Sequence, residues 1–409
     1  MKKTVLKGYA RLIARTGAAV QKGQPVIIVA GLEQPEFIEL LAAECYRAGA
    51  SEVEVDWRHQ PLTRLAVRYK SAKKLGEVKA WEEEKQRWQT EALPARIVVL
   101  SEDPDGLSGI NQAKYAAGMQ ARYQKLRPYI DARENREQWC IAAVPGEKWA
   151  KKVFPELPKG RAVERLWEAI LSCSRALEGD PLENWRLHDL DIKARAEALN
   201  AMGLTALEYR DPNGTELRVG LIPEALFLGG AERCPVNGVE YNPNIPSEEL
   251  FVTPRAGDAE GVVHATRPLA VQGVLIEDFW LRFEGGRVVE LHAEKNEDAL
   301  RTLVGMDEGA AMLGECALVP YESPIRESGI LFYNTLFDEN AACHLALGRG
   351  YSSNIRDYEK YSLDELRAMG VNDSMVHEDF MIGSAELDIT GLTASGERLP
   401  IFRSGGWAF

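Results

Sequence analysis

The sequence predicts an α/β N-terminal domain with an open, mostly parallel sheet, followed by an α+β, strand-rich C-terminal domain. Three observations predict this. Short β-branched runs alternate with helical stretches over the first 160 or so residues. Two helical segments then follow one another without a strand between them. From about residue 225 to the end, short strands are separated by Gly and Pro turns. Strands alternating with helices indicate a parallel layer, and runs of strands with few helices indicate an α+β body. The border is placed at 190/191, giving domains 1–190 and 191–409.

Residues 4 to 20 carry apolar and basic positions with helical spacing. QPVIIVAG (24–31) is a β-branched apolar run ending at Gly31, which predicts a buried strand. EFIELLAAECYRAGA (36–50) has the period of a helix, with Gly49 near its end. SEVEVDW (51–57) alternates and predicts the next strand, so the order is strand, helix, strand, as in a right-handed parallel unit. RIVVLS (96–101) and WCIAAVP (139–145) add two more strands with a helix between them. The turn after the first strand reads GLEQPE and lacks the GxGxxG spacing that brings backbone against a pyrophosphate, so this layer is read as a scaffold. ERLWEAILSCSRAL and ENWRLHDLDIKARAEALNAMG follow as helices, and LTALEYRDPNGTELRVGLI as a hairpin turning at DPNG. In the second half helices are expected mainly at 295–305, 338–347 and 362–369.

The 409 residues are 45% hydrophobic and 27% charged, enough apolar material for a sizeable core. The net charge of −13 argues against a nucleic-acid partner, because phosphate binding needs clustered Lys and Arg. Cys45, Cys140, Cys173, Cys234, Cys316 and Cys343 are scattered without a CxxC pair, which points to a thiol-keeping cytoplasm. The basic N-terminus has no long apolar segment and no small-residue cleavage site, so no signal peptide is expected. No run approaches 18 apolar residues, so no membrane partner is expected either.

Four segments of the second half set ionisable groups among apolar neighbours. FDENAACHLALGRGY (337–351) holds Asp338, Glu339, His344 and Tyr351. In AMLGECALVP (311–320), Glu315 shares a strand face with Leu313 and Ala317. In MVHEDFMIG (375–383), His377 and Asp379 are two apart, so on a strand both point to one side. NPNIPSEELFVTPRAG (242–257) holds the adjacent pair Glu248 and Glu249 between prolines, and neighbouring carboxylates repel unless a cation is near. Charges taken out of water need partners. Glu249, Glu315, Glu339, His344, His377 and Asp379 together are oxygen and imidazole donors for Zn, Co, Mn and similar ions. Four carboxylates carry about −4, which two divalent cations neutralise and one does not, so charge balance favours two metals if the six converge. The alternatives are ordinary ones. His344 lies on an expected helix face, where a histidine is commonly a hydrogen-bonded core residue, and the Glu pair can begin a helix or a solvated turn. His59, His188, His264 and His292 have no comparable surroundings and are read as structural. No GxSxG or HExxH occurs.

At these residues the chain resembles the thermophilic aminopeptidase family that includes aminopeptidases T and S. The resemblance is carried by NIPSEELFVTPRAG, GECALVPYESPI, SGILFYNTLFDENAACHLALGRGY, NDSMVHEDFMIGS and the closing IFRSGGWAF. It implies a metallo-aminopeptidase holding two divalent ions (Zn, Co or Mn) through shared ligands, acting on peptides with a free N-terminus as a homodimer. The family's ligand positions fall on Glu249, Glu315, Glu339, His344, His377 and Asp379. Glu249 is preferred to Glu248 because its spacing of 66 residues to Glu315 matches the family's. The tyrosine seven residues after the histidine falls on Tyr351, expected to stabilise an oxyanion, and Glu248 is the expected general base. Other dinuclear hydrolases, such as a phosphoesterase, and a non-catalytic metal-binding scaffold are the competing expectations.

Overall fold

A computed structural model describes residues 1–133, 135–271 and 274–409. Two compact units emerge, one of Met1–Leu187 with Ala231–Pro246, the other of His188–Gly230 with Ser247–Phe409. The second crossing, which returns Ala231–Pro246 to the first unit, has no signal in the composition of the sequence.

The first unit is built on a parallel four-stranded sheet. Pro25–Gly31 is central, with Glu52–Arg58 on one side, Ala95–Leu100 on the other and Trp139–Ala143 beyond it. The central strand is apolar along its length and buried at every position from Val26 to Gly31, as a strand covered on both faces requires. Glu52–Arg58 alternates half-buried and exposed residues, in keeping with an edge. Between these two strands runs the helix Pro35–Ala48. Proline in its first turn costs no hydrogen bond, and Gly49 ends it at φ +112°, a left-handed conformation that L side chains rarely adopt.

The second unit contains two antiparallel sheets around one apolar cluster. The larger has nine strands and includes the hairpin Leu204–Asp211/Thr215–Leu221. Its DPNG turn is locked by Asp211 Oδ1 accepting from the Asn213 amide, Asn213 Oδ1 accepting from the Thr215 amide, and Gly214 at φ +107°. The smaller sheet runs His377–Met381, His344–Gly348, Leu313–Leu318, Leu250–Val252 in spatial order. Cys316, Leu318, Leu345, Leu347 and Phe380 turn one face of this sheet into the cluster, against Leu207, Tyr209 and Val219 of the larger sheet. At about 25 cal/mol per Å² of apolar surface, this shared burial fixes which face of the small sheet points outward.

The helices expected at 295–305 and 362–369 form as Glu297–Val304 and Leu363–Met369. The one expected at 338–347 does not form. A short helix, Thr335–Asp338, passes into a 3-10 turn at Glu339–Ala341, and His344–Gly348 is a strand. HLALG is buried at every position between two hydrogen-bonded neighbours. A short run buried on both faces has no distinguishing period, so strand pairing overrides the helical propensity of Ala and Leu.

Candidate metal centre

The smaller sheet places the ionisable residues by register. Glu315 pairs across to Ala346, and Ala346 to Asp379, so the three form one row across the strands. His344 is two residues before Ala346 and His377 two before Asp379, which turns both imidazoles to the same face. In that row the small side chain of Ala346 occupies the strand position between the two carboxylates.

Close packing of backbone makes this possible. A Cβ at Gly314 would collide with the carbonyl oxygens of Gly348 and Arg349. The ladder shifts register between Leu313 and Glu315, so the expected plain alternation from Leu313 through Ala317 is broken one residue before the glutamate.

Glu249 arrives from the edge strand. Phe251 pairs with Ala317, which pairs with His344, and Glu249, two residues earlier, lies on the same side. Its Oε2 is 3.4 Å from His344 Nε2. On the other side of Glu315, His377 Nε2 lies 3.0 Å from Glu315 Oε2 and 3.4 Å from Asp379 Oδ1. Two donor groups result, Glu249 with Glu315 and His344, and Glu315 with His377 and Asp379, each with ligand atoms within 4.8 Å of one another. Glu315 belongs to both.

The second nitrogen of each ring settles how it is used. His344 Nδ1 is 3.2 Å from the Ala342 carbonyl oxygen, and His377 Nδ1 is 2.7 Å from that of Arg349. A carbonyl can only accept, so Nδ1 carries the hydrogen in both rings, and a neutral ring then presents the Nε2 lone pair to the carboxylates. Among the described residues, Asp379 Oδ1 is buried with His377 Nε2 3.4 Å away and no donor in good hydrogen-bond geometry.

The electrostatics point the same way. Burial pushes Glu249 up to about 7, aided by Glu315 and Asp379 and opposed by His344. Burial also raises Glu339, and Glu249, Asp379 and Glu315 add to it. Burial opposes a charge on His377, yet hydrogen bonds to Asp379 and Glu315 hold its proton up to about 11. Asp379 is lowered, its burial outweighed by His377 and His344. Carboxylates pushed up by burial and by one another, beside an imidazole pushed up by the same carboxylates, describe a site short of positive charge. Divalent cations fit it: the donors are oxygen and imidazole nitrogen, with no thiolate, since Cys316 and Cys343 turn into the core.

The remaining expected residues take distinct places. Glu339 is half-buried at the start of the 3-10 turn and interacts electrostatically with Glu249, Asp379 and Glu315, while standing outside the two close donor groups. Tyr351 Oη is 3.1 Å from His377 Nε2. Its backbone is fixed by Thr253, whose Oγ1 accepts from the Tyr351 amide at 2.9 Å and donates to the Tyr351 carbonyl at 3.0 Å. Glu248 is buried, and its amide donates to Asn340 Oδ1 at 2.7 Å. Asp338 serves a turn, its two oxygens accepting from the amides of Phe332 and Asn334.

Two further residues escape a reading of the sequence. Asn340 ties the Glu248 segment to the 335–341 turn, and its own amide donates to the Leu336 carbonyl at 3.0 Å. His188, read as structural, lies with Nε2 2.7 Å from the Ser247 carbonyl oxygen and 4.0 Å from Glu248 Oε2. Helical periodicity around His188 could show only that it shares a face with apolar neighbours.

The model of the thermophilic metalloprotease (M29) family matches residues 2–407. The chain is 40% identical over 405 residues to aminopeptidase AmpS of Bacillus subtilis, covering 99% of this chain and 98% of that protein. It is 41% identical over 403 residues to aminopeptidase T of Thermus thermophilus, covering 98% of each. The solved structure of wild-type AmpT from Thermus thermophilus superposes with a TM-score of 0.91 at 40% identity, covering 100% of both chains.

Proposed function

This chain belongs to the thermophilic metalloprotease (M29) family, and on that premise we propose that it is a metallo-aminopeptidase removing N-terminal residues from oligopeptides at a two-metal centre. The observation that carries the two-metal reading is the position of Glu315 in both donor groups, where a carboxylate with two oxygens can serve two ions at once. Glu249 and His344 would hold one ion, His377 and Asp379 the other, with Glu339 the sixth ligand. Divalent ions bound there would supply Lewis acidity and an acidified water at neutral pH.

The chain's own groups complete the chemistry. Tyr351, its backbone held by Thr253, directs its hydroxyl hydrogen toward the oxyanion that develops on the scissile carbonyl. Glu248 takes a proton from the attacking water and returns it to the departing amine as the C–N bond breaks. Burial of Glu248 and its hydrogen bond to Asn340 keep that segment in place while the charges shift.

Zinc, cobalt and manganese suit these donors. Six buried free cysteines support a cytoplasmic setting, and the family resemblance supports a homodimer. Among the described residues, no helix is long and apolar enough to cross a membrane. The test is to strip the protein of metal, restore zinc, cobalt or manganese stepwise, and follow an aminoacyl p-nitroanilide beside a phosphate ester. Activity on the anilide that rises only after the second equivalent is expected. Hydrolysis of the phosphate ester alone would replace this reading with the phosphoesterase one, and a metal-loaded protein inactive on both would favour the scaffold.

A further inference from the structure

Arg267 is an arginine whose charge is poorly answered. Its side chain is 16% exposed, yet among the described residues it donates no hydrogen bond, and its Nη1 is buried without an acceptor. The nearest carboxylate oxygen, Asp338 Oδ1, is 3.9 Å away and already accepts from the Phe332 amide at 2.8 Å. Ser323 Oγ, which caps the Pro324–Glu327 turn carrying Arg326, donates to the Asn340 carbonyl at 2.6 Å, so that turn packs against the same segment as Asp338. Burial lowers the pKa of Arg267 against the pull of Asp338, and the charge of Arg326 lowers it further. Arg326 has no carboxylate within ion-pair distance among the described residues. It donates to Tyr321 Oη at 2.7 Å and lies over the tyrosine ring at 4.8 Å. In a chain with net charge −13, the one carboxylate within ion-pair distance of either arginine among the described residues is Asp338, 3.9 Å from Arg267.

The place of the pair in the fold bears on what it could recognise. The Thr266 amide donates to the Met381 carbonyl at 2.8 Å, and Thr266 Oγ1 to that of Gly383 at 3.0 Å. Arg267 is thereby attached to the end of the strand that carries His377 and Asp379. Asp338 adjoins Glu339 in the chain. Two guanidiniums and one carboxylate leave one positive charge. A guanidinium presents a planar fork of N–H donors that matches a carboxylate, and Tyr321 Oη can donate a third hydrogen.

We propose that Arg267 and Arg326, with Tyr321, form a subsite for the C-terminal carboxylate of a short peptide. This rests on the aminopeptidase reading and sharpens it: the enzyme prefers short peptides with a free C-terminus to amidated peptides or long chains. Both ends of the substrate would then be read, the N-terminus at the metal centre and the C-terminus at the arginine pair.

The test uses Leu-Gly-Gly and its C-terminal amide. Calorimetric titration of the metal-free wild-type chain should show the acid binding roughly tenfold or more tighter than the amide. On the metal-loaded enzyme, the acid-to-amide ratio of kcat/KM should exceed one by a similar factor. Arg267→Met and Arg326→Gln should each bring that ratio toward one, and Arg267→Lys should keep part of it. Equal binding of acid and amide by the wild-type chain overturns the proposal, as does a preference that survives in both variants. Cleavage of both peptides at equal kcat/KM removes this subsite and leaves the aminopeptidase reading intact. Cleavage of neither removes the aminopeptidase reading, and the titration still decides whether the carboxylate is bound.

Discussion

Tyr351 Oη stands 3.1 Å from His377 Nε2, the ring nitrogen that faces Glu315 and Asp379. An ion held by His377 would occupy the Nε2 position that this hydroxyl now faces, which would leave the Tyr351 hydroxyl hydrogen free to meet substrate. Tyr351→Phe should therefore lower kcat by about 10² to 10³, as loss of one oxyanion donor does. Metal content by atomic absorption should stay at the wild-type value. A variant that keeps full kcat would remove Tyr351 from the reaction.

Glu315 and His344 should differ in how much metal they hold. Glu315→Gln weakens both donor groups and should leave the protein with little of either ion, whereas His344→Ala should spare the group of His377, Asp379 and Glu315. Equilibrium dialysis with cobalt would distinguish two equivalents lost from one. The same single loss in both variants would contradict a shared carboxylate.

The metal-free protein should lose stability as pH rises. Glu249 has a folded pKa of about 7, raised from 4.5, so its contribution is fully present below pH 4.5 and is lost as pH climbs through 7. His377, raised from 6.5 to about 11, acts with the same sign at higher pH, being fully present below 6.5 and lost through about 11. Asp379 is lowered from 3.8 and acts with the opposite sign, but only below that value. Added zinc should accordingly raise Tm more at pH 8 than at pH 5, since binding displaces the held protons. A Tm increment that shrinks between pH 5 and pH 8 would contradict this account of the charges.

His188 should affect turnover without affecting metal. Its Nε2–H donates to the Ser247 carbonyl beside Glu248. His188→Leu leaves that carbonyl without its donor, a loss of about 1–3 kcal/mol in stability. It should lower kcat while metal stoichiometry holds, because Glu249 is placed independently by the Leu250–Val252 ladder. Loss of metal in parallel with kcat would make His188 a general structural support instead.

Gly314→Ala tests the close approach beneath the centre. The added methyl meets the carbonyls of Gly348 and Arg349, so the strand must move, at a cost of about 1–3 kcal/mol. The Arg349 carbonyl also holds His377 Nδ1, so metal affinity should fall along with Tm.

Local pattern in the sequence was sufficient for the strand, helix, strand order of residues 24–57 and for the DPNG hairpin, because propensity, period and turn chemistry there agree. It failed at HLALG, where burial on both faces erases the period. The donor residues could be named from residue type and surroundings, as carboxylates and imidazoles set among apolar side chains. Their grouping could not: Glu249, Glu315 and His344 come together through strand pairing between segments dozens of residues apart, and only the register puts Ala346 beneath them. The partners of His188 and Arg267 likewise lie dozens of residues away along the chain, and no periodicity reports on such contacts.

The sequence by itself determined which donors are available, four carboxylates and two imidazoles among apolar neighbours without a thiolate, and so which ions they suit, and local pattern fixed the type of most elements. Only the tertiary structure decided how those donors divide. The ladder brings Glu315 between two histidines, and the carbonyls of Ala342 and Arg349 choose the nitrogen each ring presents. The physical reason is that donor identity is a property of single residues, while a shared ligand and a chosen tautomer depend on distances between strands, which packing of the common core sets.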